Sequence, residues 1–475
     1  MASRYAAVIG GAKRLPSALW ILLWFTCLAP FTILGYGSDN DSWRVARAAA
    51  EIWETHSYVR SRTTGFPLFE IGVSPAVALG GWRLSNLLVL LSGAACLAAL
   101  VKLKNLRELR HPAAVAAGFA LLPVFVKNAT STMDYIPALA ALLWAYVAVL
   151  RGRSLAAGLL VGLSTGLRPA SVLFLLPCGW FMYREHGRRA ALKMILGGIA
   201  WSVVCYSPAL LTYGLSTPGA LVTVAVRERI VIGGYNALKL FGILQSVLLA
   251  GAFLFGFLKA RGSGYLRSSH FSFHAIAIGA WLALFAVFPF EAEYLLAAVP
   301  SLMLVLDRIL GRRGVVVVVA ALLSYHVVQL EVLGGESGYR KLDIRAHSGY
   351  TVDDVRDRIF KLSTRSAASE YHAPQPTVLF FGEPWIPSTN EKWIYDADRG
   401  MYRQRDGRLY VSAAILDEAV IRERREEGFR LIVWKRAKWE FIRLGQRQVP
   451  EGIEVIDDLG ELFGVPIRGR SLTDR

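Results

Sequence analysis

The sequence predicts a polytopic α-helical membrane protein of about eleven transmembrane helices, followed by a small soluble α/β domain. Three observations predict it. Hydrophobic residues are 54% of the 475 and mean hydropathy is +0.40, more apolar than a soluble chain of this length sustains. The excess is gathered into separate long runs. Charge is sorted along the chain: 29 Lys and Arg stand against 13 Asp and Glu up to residue 332, but 24 against 23 after it. The formal charge of +17 therefore belongs almost wholly to the apolar part, where it reports membrane orientation and not nucleic-acid binding.

Runs able to cross, or nearly cross, ~30 Å of hydrocarbon lie at 15–36, 82–101, 113–126, 135–150, 154–167, 170–183, 194–212, 238–258, 271–289, 294–307 and 314–332. With the N-terminus cytoplasmic, the inner loops hold 19 of the 29 basic residues, among them Lys102 to Arg110, Arg184 to Lys193 and Arg308 to Arg313. Only Glu108, Glu185 and Asp307 are acidic there, as the positive-inside rule requires. An odd number of crossings then places residues 333–475 outside. The first run lacks a small-residue cleavage site and reads as a retained span. Cys27, Cys96, Cys178 and Cys205 all sit in apolar runs, without disulfide or zinc spacing.

The outer loops 37–81 and 213–237 are the long ones, so function should gather there. In the first, Trp43, Ala46, Ala50 and Trp53 recur at helical spacing opposite Arg44, Arg47, Glu51 and Glu54. Such a helix is expected to lie flat on the membrane, tryptophans toward lipid. Gly65 and Pro67 then interrupt regular structure before the second run at Trp82. In the tail, "TVLFFG" (377–382) and "RLIVWK" (430–435) read as buried strands and 412–428 as a helix ending at Gly428, a small α/β layer.

"YGSDNDSW" sets Asp39 and Asp41 where the first span meets water. Carboxylates there are costly unless water, a metal or a substrate meets them. In extended chain both point the same way; as a plain alternative, one of them, Asp41 in particular, caps the following helix. Arg168, in "STGLRPAS" between two short runs, must sit shallow or face a water-filled cavity. Arg60, Arg62, Arg227 and Arg229 stand in the two long outer loops, suited to phosphate or equally to lipid headgroups, Glu228 or Glu70. Asp134 either joins the site or caps the helix starting at Tyr135. Glu291 and Glu293 line a pocket or merely make the outer turn acidic.

The first span, the acidic pair, the surface helix, the many spans and the soluble tail together resemble the GT-C superfamily of membrane glycosyltransferases, which use lipid-linked sugars. "SDNDSWRVARAAAEIW" is similar to the Asp-x-Asp opening of the GPI mannosyltransferase I group, and more loosely to the Asp-Glu opening of protein O-mannosyltransferases and aminoarabinose transferases. "YVRSRTTGFPLFE", which begins at Tyr58, resembles bacterial dolichyl-phosphate-mannose-type transferases, and "NATSTMDYIPAL" and "GLSTGLRPASVLFLLP" resemble later blocks. The likeness covers about 15–310. It departs at "FEAEYLLAAVP", where Glu293 stands in place of a cation.

The resemblance implies an inverting transfer of a sugar from a polyprenyl-phosphate donor to a hydroxyl of a glycan, lipid or protein acceptor. The reaction would face outward from a bacterial inner or plasma membrane, with 1–332 as catalytic domain and 333–475 as the extracytoplasmic one. It implies Asp39 as general base. Asp41 would assist, orient the acceptor, or share a divalent Mg or Mn ion with Asp39, although two carboxylates leave most of such a shell to other ligands. Arg168, Arg60, Arg62, Arg227 and Arg229 would meet the phosphate, and Tyr58, Asp134, Glu291 and Glu293 would line the acceptor pocket. The alternative class is a lipid or polysaccharide transporter or flippase, for which internal repeats are expected; none is convincing here.

Overall fold

The computed structural model describes residues 17–106, 108–214, 226–335, 338–381, 385–387, 392–396, 399, 401–405, 407–412, 418–434 and 452–468, without the side chains of 226–228, 329–348 and 418–420. Helices form in the apolar runs, and prolines and glycines set their ends. Ser17–Leu28 tightens into a 3₁₀ turn, Ala29–Ile33, at Pro30. Pro112–Ala120 and Pro123–Ala129 each begin on a proline, which needs no helical hydrogen bond there. Ser154–Leu167 stops at Arg168-Pro169, passes through a 3₁₀ turn (Pro169–Phe174) and resumes as Leu175–His186. The run expected at 238–258 divides at Gly242 into Val226–Phe241 and Ile243–Ala260.

Among the described residues, four helices are long and apolar enough to cross a membrane: Pro67–Asn105, Arg188–Tyr213, Ile243–Ala260 and Ser269–Val287. A fifth is added if Pro112–Ala129, bent by 62°, is one span. The expected eleven crossings are thus not eleven long helices. The physical reason is breakage: a 16-residue helix such as Tyr135–Leu150 rises only ~24 Å. The run expected at 314–332 likewise gives a helix only over Arg312–Ser324 before strand β1 (Val328–Gly335) begins.

The loop 37–81 is also more regular than expected. Asn40–Thr55 is helical, and the next helix starts at Pro67, not Trp82. Near-continuous helix runs from there to Asn105 through a break at Gly81, whose φ of +56° suits glycine. Its first half comes back over the 40–55 helix, whose Trp43, Ala46, Ala49 and Ile52 are buried, and Ser74 donates to the Ala49 carbonyl at 2.7 Å. Trp43 therefore does not face lipid; Trp53, 45% exposed, stays outside.

After the β1–β2 hairpin (β2, Gly338–Ser348), helix Tyr350–Glu370 leads into a six-stranded sheet ordered β4-β5-β6-β3-β7-β8. Its strands are β3 Thr377–Phe380, β4 Trp393–Asp396, β5 Met401–Gln404, β6 Leu409–Ser412, β7 Arg430–Trp434 and β8 Glu454–Ile456. The two strands legible in the sequence, β3 and β7, lie side by side and parallel, Thr377 opposite Arg430 and Phe380 opposite Val433. Their unbroken apolar patterns fit strands covered on both faces. Phe381 stacks on Trp434 at 4.9 Å, and Phe360 of the 350–370 helix stacks on Trp434 at 6.1 Å. On its other side that helix lays Arg365 against the rings of Trp43 and Trp82, at 5.3 and 5.7 Å. It is the joint between sheet and helical body.

Candidate active site

Two chain segments far apart in sequence make the frame. Gly37 has φ +147°, and a Cβ there would meet Ser131 and Ser42 at 2.9 Å, so only glycine lets 36–42 pass this close to 130–134. Thr132 N–H donates to the Tyr36 carbonyl at 2.8 Å. Buried Asn86 donates to the carbonyls of Thr32 and Gly35 and accepts from Thr132 Oγ1 at 2.7 Å. The acidic pair is thereby held beside Asp134.

The 40–55 helix starts between the two aspartates. Asp39, in extended conformation, accepts the Asp41 N–H at 2.9 Å on Oδ1 and so is the cap, the role the sequence favoured for Asp41. The cap leaves Oδ2 of Asp39, a residue whose side chain is 25% exposed, facing Lys127 Nζ at 3.9 Å. Asp41 lies in the first turn, where its oxygens meet Arg44 at 3.0 Å and Arg62 at 3.3 Å. The two carboxylates face different cations, and among the described residues no group of three or more His, Cys, Asp or Glu could hold a metal ion. A Mg or Mn ion shared by the pair, as the resemblance suggested, would compete with Arg44 and Arg62 for Asp41 and with Lys127 for Asp39.

Asp134 is fully buried and does not cap the 135–150 helix through its side chain. One oxygen takes Arg62 NH2 and the other takes Arg168 NH1 at 2.6 Å. The guanidinium planes rest on aromatic faces, Arg62 on Phe66 at 3.7 Å and Arg168 on Tyr135 at 3.9 Å and Tyr294 at 4.9 Å. Burial alone would raise the Asp134 carboxyl, but the two arginines outweigh it and hold it below the usual carboxylate range. Beside this ladder a cavity of about 10 Å³, roughly one water, is lined by Tyr135, Arg168, Ser171, Trp281, Glu293 and Tyr294. Ser171 Oγ in this cavity's lining and Arg62 Nε in the ladder are buried with no hydrogen-bond partner among the described residues, donor capacity that a ligand oxygen would satisfy.

Glu293, which replaces the expected cation, is paired with one: Lys127 Nζ lies 2.8 Å from its Oε1. Burial opposes ionisation of Glu293, yet Lys127 and Lys239 prevail and bring it down to about 2. Glu291 goes the other way. Burial, then the Asp39, Glu293 and Asp41 charges, push it up to about 7, and the Tyr135 hydroxyl donates to it. The folded chain therefore binds a proton here, between the ordinary carboxylate range and pH about 7, that the unfolded chain has lost. This group's stabilising contribution falls as pH rises through that window. Glu291→Gln keeps an acceptor for Tyr135. It is expected to raise the melting temperature at about pH 8 and leave it unchanged at about pH 4, a difference on the order of 3 kcal/mol. Equal shifts at both pH values in a detergent melting series would contradict this.

The remaining candidates stand apart. Buried Glu70 accepts from the Tyr58 hydroxyl at 2.6 Å, the Ser61 N–H at 2.7 Å, the Ser61 hydroxyl and the Phe66 N–H at 2.9 Å. Tyr58 thus braces the 58–66 turn that delivers Arg62. Arg60 donates to the Thr63 carbonyl at 3.2 Å and lies over Tyr213 at 4.3 Å, not against Asp134. Arg229 is half-buried near the start of the 226–241 helix. The Arg227 side chain lies outside the described residues. Sequence reasoning missed Lys127 as a site residue, although a lysine closing an apolar run beside "NATSTMD" was a usable signal, and it took Glu70 only as a possible arginine partner.

No family model matches the chain, and no curated protein matches it. The chain is similar to two solved structures of ArnT from Cupriavidus metallidurans. For the apo state the identity is 14%, covering 78% of this chain and 84% of that one, with a TM-score of 0.47. For the form bound to undecaprenyl phosphate it is 12%, covering 93% and 91%, again with a TM-score of 0.47.

Proposed function

We propose that this chain is an integral-membrane glycosyltransferase of the GT-C kind. It moves a sugar from a polyprenyl-phosphate donor to a hydroxyl acceptor, with inversion, on the outer face of the membrane. The N-terminus is cytoplasmic, and 37–81 and 333–475 are outside. The observation that carries this reading is the placement of Asp39. A solvent-reached carboxylate with one oxygen engaged as helix cap and the other open toward Lys127 stands two residues from Asp41, which joins the buried Arg62–Asp134–Arg168 ladder at 3.3 Å, and that ladder carries unsatisfied donor capacity.

The chemistry follows from those positions. Asp39 Oδ2 takes the acceptor's hydroxyl proton as that oxygen bonds to the anomeric carbon. The bond from that carbon to the phosphate oxygen breaks on the opposite side, which inverts the configuration, and the lipid phosphate leaves with the electron pair. Lys127, Arg62 and Arg168 supply fixed positive charge where negative charge grows. Their counter-ions hold them in place beforehand, so little reorganisation is needed at the moment of transfer. Tyr135 and Tyr294 offer faces to a sugar or to the guanidinium groups.

The test is reconstitution of the purified chain in vesicles with radiolabelled polyprenyl-phosphate sugar and hydroxyl acceptors of glycan, lipid and peptide type. A glycosylated product of inverted anomeric configuration is expected. Movement of the labelled lipid between leaflets of sealed vesicles, with no product, would replace this reading with transport.

A further inference from the structure

Helix Tyr350–Glu370 belongs to the C-terminal part of the chain, yet it reaches both members of the Asp39–Lys127 pair. Asp354, Arg358 and Lys361, spaced four and three apart, share one face. Lys361 Nζ donates to the Ser38 carbonyl and, at 2.9 Å, to Asn40 Oδ1, so it grips the residues on either side of Asp39. Asp354 accepts the Ser38 hydroxyl and ion-pairs with Arg358 at 2.9 Å. Arg358, with no exposed surface, donates to the carbonyls of Lys127 at 3.1 Å and Thr130 at 2.9 Å, and to Ser131 Oγ at 2.7 Å.

We infer that Asp354, Arg358 and Lys361 are positioning residues that set the separation of Asp39 and Lys127. The inference rests on the transferase reading for its activity arm. An apolar face would dock this helix as firmly, and burying ions is costly. What the charged face adds is direction: its donors end on the backbone next to the two side chains whose spacing matters. The C-terminal part is then a working piece of the site and not a cover over it.

The test compares Lys361→Met, which removes the donor but keeps the length, with Lys361→Arg, in the full chain in vesicles. Because Lys361 also pairs with Asp357 at 3.5 Å, Lys361→Met with Asp357→Asn serves if the single variant does not fold. We expect kcat to fall roughly 10- to 100-fold with donor KM unchanged, and Lys361→Arg to recover most of it. Carbodiimide modification of Asp39, followed by mass spectrometry, is expected to quicken severalfold in the Met variant and stay at the parent rate in the Arg variant. Unchanged kcat and unchanged Asp39 modification in folded Lys361→Met overturns the inference, as does failure of both Met variants to fold. If the parent chain transfers no sugar, the function falls alone, because the modification rate of Asp39 still reports on positioning.

Discussion

Asp39→Asn is expected to lower the rate of sugar transfer by about 10²- to 10⁴-fold, the range of a lost general base, in a protein that still folds. Asparagine is as good an N-cap as aspartate, so the Asp41 N–H keeps its acceptor and the 40–55 helix keeps its start. Lys127 loses a partner at 3.9 Å but retains Glu293 at 2.8 Å. Melting should therefore move by less than about 0.5 kcal/mol, while initial rates with a polyprenyl-phosphate sugar collapse. Full activity in that variant would remove Asp39 from the chemistry and leave it a helix cap. Asp39→Ala is the less informative change, since it deletes the cap as well as the base.

Asp134→Ala is expected to cost the fold the most, about 3–5 kcal/mol, as when one member of a buried ion pair is removed. Two guanidinium groups share this one carboxylate. Arg62 keeps Asp41 at 3.3 Å, whereas Arg168 keeps only aromatic faces among its described contacts. Asp134→Asn, which preserves an acceptor but not the charge, should fall between parent and Ala. Arg168→Met in the Asp134→Ala background should restore part of the loss by removing the orphaned charge. The Asp134 carboxyl is held below its ordinary range, so its contribution is complete above that range and is lost as pH falls from there through the depressed value. The deficit of the Ala variant should hence be constant from about pH 6 to about pH 8 in detergent melting. A deficit under about 1 kcal/mol would show the ladder to be a solvated, screened contact.

The helical body was legible because apolar run length and Pro or Gly punctuation are local properties. Pro67, Pro112 and Pro123 stand in the first turns of their helices, and Gly242 separates two. The breaks within those runs were not all legible, because apolarity is the same for a long helix and for short pieces packed against one another. Trp43 misled for a related reason: helical spacing shows that a face is apolar, not whether lipid or another helix covers it. The half-helix that covers it, from Pro67 to Gly80, lies inside a stretch read as loop.

Asp39, Asp41, Asp134, Arg168, Glu291 and Glu293 could be picked out one at a time as charges placed where apolar runs end, and Arg62 as an arginine in a long outer loop. Their pairing could not. Arg62 meets Asp134 72 residues away, and Arg358 meets Thr130 228 residues away. Such partners leave no periodicity and no spacing in the chain. Composition decides where this polymer is apolar enough to form membrane-length helices and which segments end them, since that depends on transfer free energies summed over neighbours in sequence. Which carboxylate is free, which is spent on an arginine, and which helix holds the free one in place depend on contacts at hydrogen-bond range between distant segments, and packing alone decides those.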